Sequence, residues 1–169
     1  MKRLLMIVPL ALLALWALSG STLADDSSNT TRARLSGFQE NPPKLTDGQG
    51  TLTLRLHDKS IDYTLTYSGL TPPVLFAHIH FAQRPLNGPV EVFLCGGGGK
   101  PACPASGTVT GTITAGDVIG LPDQNVTAGD FSGLVRIIRS GDAYANVHTT
   151  KFPAGEIRGQ LPATSASDD

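Results

Sequence analysis

Charge is scarce in this sequence and neither sign dominates. There are 13 Lys+Arg against 14 Asp+Glu. Setting aside Lys2 and Arg3, which belong to an N-terminal signal, leaves 11 against 14 and a net charge of −3. No basic patch stands out, so nucleic acid and anionic membrane surfaces are poor partners on charge grounds. Cysteine is almost absent. Cys95 and Cys103 bound the string CGGGGKPAC, and two cysteines cannot build a disulfide framework, so the chain must fold on a hydrophobic core. There is no G-x-S-x-G nucleophile elbow, and the serines lie in polar loops. CGGGGK is not a phosphate loop either: Pro101 follows the lysine where Ser or Thr is needed, and no helix follows to present its N–H groups.

Long apolar runs are also missing, with one exception at the start. Lys2 and Arg3 precede an apolar stretch from Leu4 to Leu18, and Thr22 and Ala24 suit the −3 and −1 positions of a signal-peptidase site. Residues 1–24 are therefore expected to be a secretory signal cut after Ala24, the alternative being an uncleaved anchor. The exported chain would be secreted or periplasmic, with no membrane span after cleavage. In such an oxidising compartment Cys95 and Cys103 are expected to close their glycine-rich loop as a disulfide; a thiolate metal pair is the alternative. Residues 25–32 and 162–169 are polar and expected to be disordered. Two N-x-T sequons, at Asn29 and Asn125, matter only if the source cell glycosylates exported proteins.

Between those ends the pattern has period two. Leu52, Leu54 and Leu56 alternate with Thr51, Thr53, Arg55 and His57; Ile61, Tyr63, Leu65 and Tyr67 alternate with Asp62, Thr64 and Thr66. With the turn DKS between them they form a hairpin. Further strands are expected at VLFAHIHFA, PVEVFLC, GTVTGTI, DAYANVHT and GEIRGQL. TAGDVIGL is expected to be a short helix capped by Thr114. TAGDFSGLVRIIRSG is expected to be a second, capped by Thr127, with Asp130 in the capping-box position and Gly141 ending it. Many short strands and little helix predict an all-β, antiparallel β-sandwich or Greek-key-like barrel with one or two short helices.

Histidine is rare too, yet three of the four fall in two short strings, AHIH and NVHT. Alternation puts His78 and His80 on one strand face with Phe76 and Ala82, opposite the apolar Leu75, Ala77, Ile79 and Phe81. That face is expected to be the outer surface or the mouth of a cleft. On DAYANVHT the core residues are Ala143, Ala145 and Val147, and Tyr144, Asn146 and His148 point the other way. Should the two strands be neighbours, His78, His80 and His148 make a three-imidazole site suited to copper or zinc. Otherwise they are polar strand residues. Glu40 and Glu156 are lesser candidates: Glu40 for a turn that accepts backbone N–H groups, Glu156 for a charge pair with Arg158. His57 is expected to be solvated, with a role as a fourth ligand left open.

LSGFQENPP, AHIH followed by NGPV, and AYANVHTTKFPAGEIRGQL together resemble the chordin-type (CHRD) domain, over about residues 33–161. The resemblance implies an all-β sandwich, found singly in exported bacterial proteins and as repeats in chordin. It places His78, His80, His148, Asn146, Glu156 and Arg158 on motif positions, and makes the Cys95–Cys103 segment similar to an insertion in single-domain exported members. The HxH strand is similar to the histidine pair of Cu/Zn superoxide dismutases, although the bridging histidine and zinc loop of that family have no counterpart here. Three functions follow as expectations. The first is an exported protein binding copper, or alternatively zinc, through His78, His80 and His148, with Asn146 or Tyr144 orienting an imidazole. The second is a non-enzymatic module that binds an extracellular or envelope protein. The third is a copper redox, dismutase-like enzyme, the least supported because no separate acid, base or nucleophile accompanies the histidines.

Overall fold

The computed structural model describes residues 29–164. The expected signal sequence and residues 165–169 of the tail lie outside that range. Eight strands form one antiparallel sheet: β1 (Thr30–Ser36), β2 (Gln49–Leu56), β3 (Ile61–Ser68), β4 (Val74–Phe81), β5 (Val90–Cys95), β6 (Gly107–Ile113), β7 (Ala143–Thr149) and β8 (Ile157–Gln160). Their order is β5-β4-β7-β8-β1-β2-β3-β6. The sheet curls until its two edges face one another, so of the sandwich and barrel forms the protein takes a nearly closed barrel. Among the described residues no helix is long and apolar enough to cross a membrane.

The alternation read from the sequence sets the inside of the barrel. Leu52, Leu54, Ile61, Leu65, Ala77, Ile79, Val92, Val147 and Ile157 are all fully buried. Two tyrosines help close the gap between β5 and β6. Tyr63 donates its hydroxyl to Leu94 O at 2.8 Å and Tyr67 to Pro104 O at 2.7 Å. Gly111 of β6 makes room for the first, because a Cβ there would lie 2.5 Å from the Tyr63 oxygen. The Cys95–Cys103 disulfide forms at the same seam. Its short loop implies a stabilisation of about 2.5 kcal/mol by restricting the unfolded chain.

Three expectations need correction. β1 begins at Thr30, inside the stretch expected to be disordered: Thr31, Ala33 and Leu35 are buried while Arg32 and Arg34 point out, and the strand pairs with β2 along its whole length. The main helix, α1 (Phe131–Ser140), is capped by Asp130 rather than Thr127. Asp130 Oδ1 accepts from Gly133 N at 2.8 Å. The preceding Gly129 sits at φ 83°, a left-handed conformation that a helix cannot include, so the helix starts after it. TAGDVIGL gives only a single 3-10 turn at Ala115–Asp117. Its expected cap does form: the Thr114 backbone N–H and hydroxyl both donate to Asp117 Oδ2. Gly141 ends α1 at φ 83° as expected.

β5 carries a group that pattern reading passed over. His80 pairs with Val90 while the adjacent Ile79 pairs with Val92. The intervening Glu91 is thus the extra residue of a bulge. It is fully buried, and neither carboxylate oxygen meets a hydrogen-bond donor among the described residues. Burial, reinforced by the charge of Asp130, raises its pKa from 4.5 to about 7.

A carboxyl whose pKa is raised by folding binds its proton more tightly in the folded state. Its contribution to stability is therefore greatest below pH 4.5 and is lost as pH rises to about 7. The loss amounts to roughly 3 kcal/mol. Glu40 shows the same rise to about 7, so the two residues share the slope. Glu91→Gln is expected to raise stability at pH 8 and to flatten about half of the decline between pH 4.5 and 7, as read by urea denaturation across that range. An unchanged pH profile would show that folding does not shift the Glu91 pKa.

Candidate metal centre

β4 and β7 are neighbours, and their register decides the site. His78 lies opposite Asn146, His80 opposite Tyr144 and Phe76 opposite His148. His148 is then the diagonal neighbour of His78 on the same face, within reach of its ring. The face is the outer one, since Ala77, Ile79, Ala145 and Val147 fill the barrel. It is not open to solvent, however. His78, His80 and His148 are only 5 %, 6 % and 7 % exposed, and the segments carrying Phe93, Gly88 and Pro153 lie against them. This corrects the expectation of a surface or cleft mouth.

Two of those segments fix the imidazoles through backbone carbonyls. His80 Nδ1 lies 3.0 Å from Gly88 O and His148 Nδ1 lies 3.0 Å from Pro153 O. A carbonyl oxygen only accepts, so each Nδ1 carries the proton and each Nε2 keeps its lone pair. His148 Nε2 points at His78 Nδ1, 3.1 Å away. His80 Nε2 and His78 Nε2 are buried without a partner among the described residues. Burial lowers the pKa of all three rings, to about 3 for His78 and about 4 for His80, and repulsion between neighbouring imidazoles adds to the effect in those two. His78 and His80 are thus neutral at neutral pH and burial favours the neutral ring of His148 too, the form that binds a metal.

The donor set could hold an ion. One nitrogen from each histidine lies within 4.8 Å of the others. Two nitrogens 3.1 Å apart match neighbouring ligands at about 2.0–2.1 Å from a shared metal, with an angle of roughly 100° between them.

The chain matches the family model described as the CHRD domain over residues 31–161. It belongs to the CHRD domain family. No curated protein and no solved structure matches the chain.

The other motif residues of this CHRD domain surround the cluster without entering it. Tyr144 lies flat against His80, with ring centres 4.7 Å apart and planes within 4°. Its hydroxyl accepts from Gly88 N at 3.1 Å. Arg158 covers the far side of the same ring, its guanidinium carbon 3.4 Å from the centre. Asn146 donates to Glu40 Oε1 at 2.5 Å and to Ile157 O at 2.8 Å. Burial holds the Glu40 carboxyl at about 7, opposed by Asn146 and Arg158.

The expected Glu156–Arg158 pair does not form. Fully buried Glu156 accepts from Thr46 Oγ1 at 2.6 Å, Thr149 Oγ1 at 2.8 Å and Thr71 N at 3.1 Å. It ties two turns to the end of β7. Arg158 instead donates to Asn87 Oδ1 at 3.1 Å. His57 stays away from the cluster and bonds exposed Asp62 at 3.1 Å, so it is no fourth ligand.

Sequence reading missed Gly88, Phe93 and Pro153. Phe93 meets His78 edge to face at 4.5 Å. Gly88 holds both His80 and Tyr144, and only glycine fits there: a Cβ would sit 2.1 Å from Phe81 O. The string NGP marked a turn, but nothing in it showed which side chains the turn would grip. Gly88→Ala is expected to displace this clamp and weaken metal binding by about 10–100-fold, measured by calorimetric titration of a variant whose far-UV spectrum is unchanged. Affinity equal to wild type would remove Gly88 from the site.

Proposed function

We propose that this CHRD domain is the metal-binding module of an exported protein, holding one copper ion, with zinc as the alternative, on His78, His80 and His148. The observation that carries the reading is the pinning of two imidazoles. Gly88 O and Pro153 O each accept a hydrogen bond from Nδ1, which leaves Nε2 as the lone-pair atom of His80 and of His148, the latter 3.1 Å from His78 Nδ1. Without a ligand, His80 Nε2 is a buried acceptor with no hydrogen-bond partner among the described residues, a state that is unfavourable unless a ligand fills it. Tyr144 and Asn146 serve as positioning residues, Tyr144 by stacking on His80 and Asn146 by anchoring Glu40. Export is supported by the Cys95–Cys103 disulfide, which suits an oxidising compartment, together with the signal-like residues 1–24.

A second reading, a module that docks an extracellular or envelope protein, is favoured by a separate observation. Phe38, Leu45 and Leu86 are 70 %, 89 % and 59 % exposed on the loops before β2 and β5, the second of which holds His80 through Gly88. The two readings are compatible, because ion binding would stiffen those loops.

Calorimetry with Cu(II) and Zn(II), and anaerobically with Cu(I), tests the first reading beside a variant with all three histidines changed to alanine. Wild type is expected to bind one ion with a Kd of about 1 μM or tighter, with binding lost in the variant. A folded wild type that binds none of the three ions would contradict the proposal.

A further inference from the structure

Three neutral imidazoles bring no negative charge to an ion, and their surroundings supply little. Glu156 is bound up with Thr46, Thr71 and Thr149. Glu40 bonds Asn146, and burial keeps its carboxyl partly protonated at neutral pH. A fixed positive charge lies one ring away instead. Arg158 is 1 % exposed and stacks on Tyr144, which stacks on His80. It donates hydrogen bonds to neutral oxygens, Asn87 Oδ1 at 3.1 Å and Gln160 Oε1 at 3.4 Å.

Room for additional ligands is short as well. Phe76 stacks on His78 at 5.7 Å and Phe93 meets it edge-on at 4.5 Å. The Nε2 atoms of His78 and His80 are both closed to solvent. Besides His80, the rings against His78 from β4 and β5 are therefore apolar and donate nothing to a metal.

These conditions discriminate among ions. The desolvation penalty of an ion grows with the square of its charge, so a doubly charged ion loses about four times as much as a singly charged one on entering the same buried site. Zn(II) seeks a fourth ligand to complete a tetrahedron. Cu(II) seeks a tetragonal array. Cu(I) has a filled d shell, no tetragonal preference, and accepts three nitrogen ligands.

We infer that the site selects copper in its monovalent state, Cu(I), over Cu(II) and Zn(II), because three uncharged imidazoles sit in an apolar shell with the Arg158 guanidinium behind Tyr144. The inference rests on the metal-binding reading above and adds the ion's oxidation state to it.

The test is anaerobic competition of the purified protein against bicinchoninate for Cu(I), with parallel titrations of Cu(II) and Zn(II). Cu(I) is expected to be held at least about tenfold more tightly than either divalent ion. Two variants probe the electrostatic cause. Arg158→Gln removes the positive charge and should narrow the preference, but it also removes buried packing. Glu40→Gln keeps an acceptor oxygen for Asn146 and removes the remaining negative charge, so it should widen the preference by about threefold or more. Cu(II) or Zn(II) bound as tightly as Cu(I) would overturn the inference and leave the metal site standing. Failure of a folded protein to bind any of the three ions would overturn both. A narrowed or unchanged preference in Glu40→Gln would contradict the electrostatic argument.

Discussion

The antiparallel register between β4 and β7 is the constraint on which the site depends. Pairing His78 with Asn146 and His80 with Tyr144 puts three imidazoles on one face and Ala77, Ile79, Ala145 and Val147 on the other. A slip of one residue would turn the histidines into the barrel and the alanines out. The apolar contacts inside the barrel oppose that slip, so core packing and site geometry are fixed by the same pairing. The small inward residues, Ala77, Ala143 and Ala145, leave room for larger ones such as Ile79, Leu94 and Ile157 within the curved sheet.

The loops then complete what the strands begin. Gly88 and Pro153 set the imidazole tautomers from two different segments, and Gly88 also holds the Tyr144 hydroxyl. Asn41 donates to Pro85 O and Asn87 to Asn41 O, which joins the covering segments to one another. Glu40, Asn146, Arg158 and Tyr144 form a buried polar layer between them and the sheet. Buried polar groups of this kind are stable only when nearly all are partnered. Among the unpartnered atoms, the Nε2 atoms of His78 and His80 and the carboxylate of Glu91 are the informative ones. The first two belong to the cluster with His148, and the third sits on the β5 bulge.

Much of the fold was legible because period-two alternation is a local property. The β2–β3 hairpin, the inward faces of β4 and β7, the disulfide and the capping of the first glycine-rich turn all follow from residues close in sequence. The three histidines were legible as a set because alternation fixed their faces, and only the adjacency of their strands remained open. Other features depend on partners far away in the chain. The first residues of β1 looked disordered because Thr30, Thr31 and Arg32 continue the polar run from Asp25, although Ala33 and Leu35 carry the alternating signal. Glu156 and Arg158 share a strand face, which suggested a pair, but threonines from three segments and the Tyr144 ring compete for them. Burial of the histidines comes from loops whose course no local pattern encodes. Glu91 lay unremarked in the strand PVEVFLC, because nothing local marks the bulge at which it is buried.

The central claim is that β4 and β7 assemble one three-imidazole centre. X-ray absorption at the metal edge of protein loaded with one equivalent of ion reads it most directly. The account predicts a first shell of three nitrogen donors at about 2.0 Å with the outer-shell scattering of imidazole rings. A shell with one imidazole or none, or one containing sulfur, would contradict it.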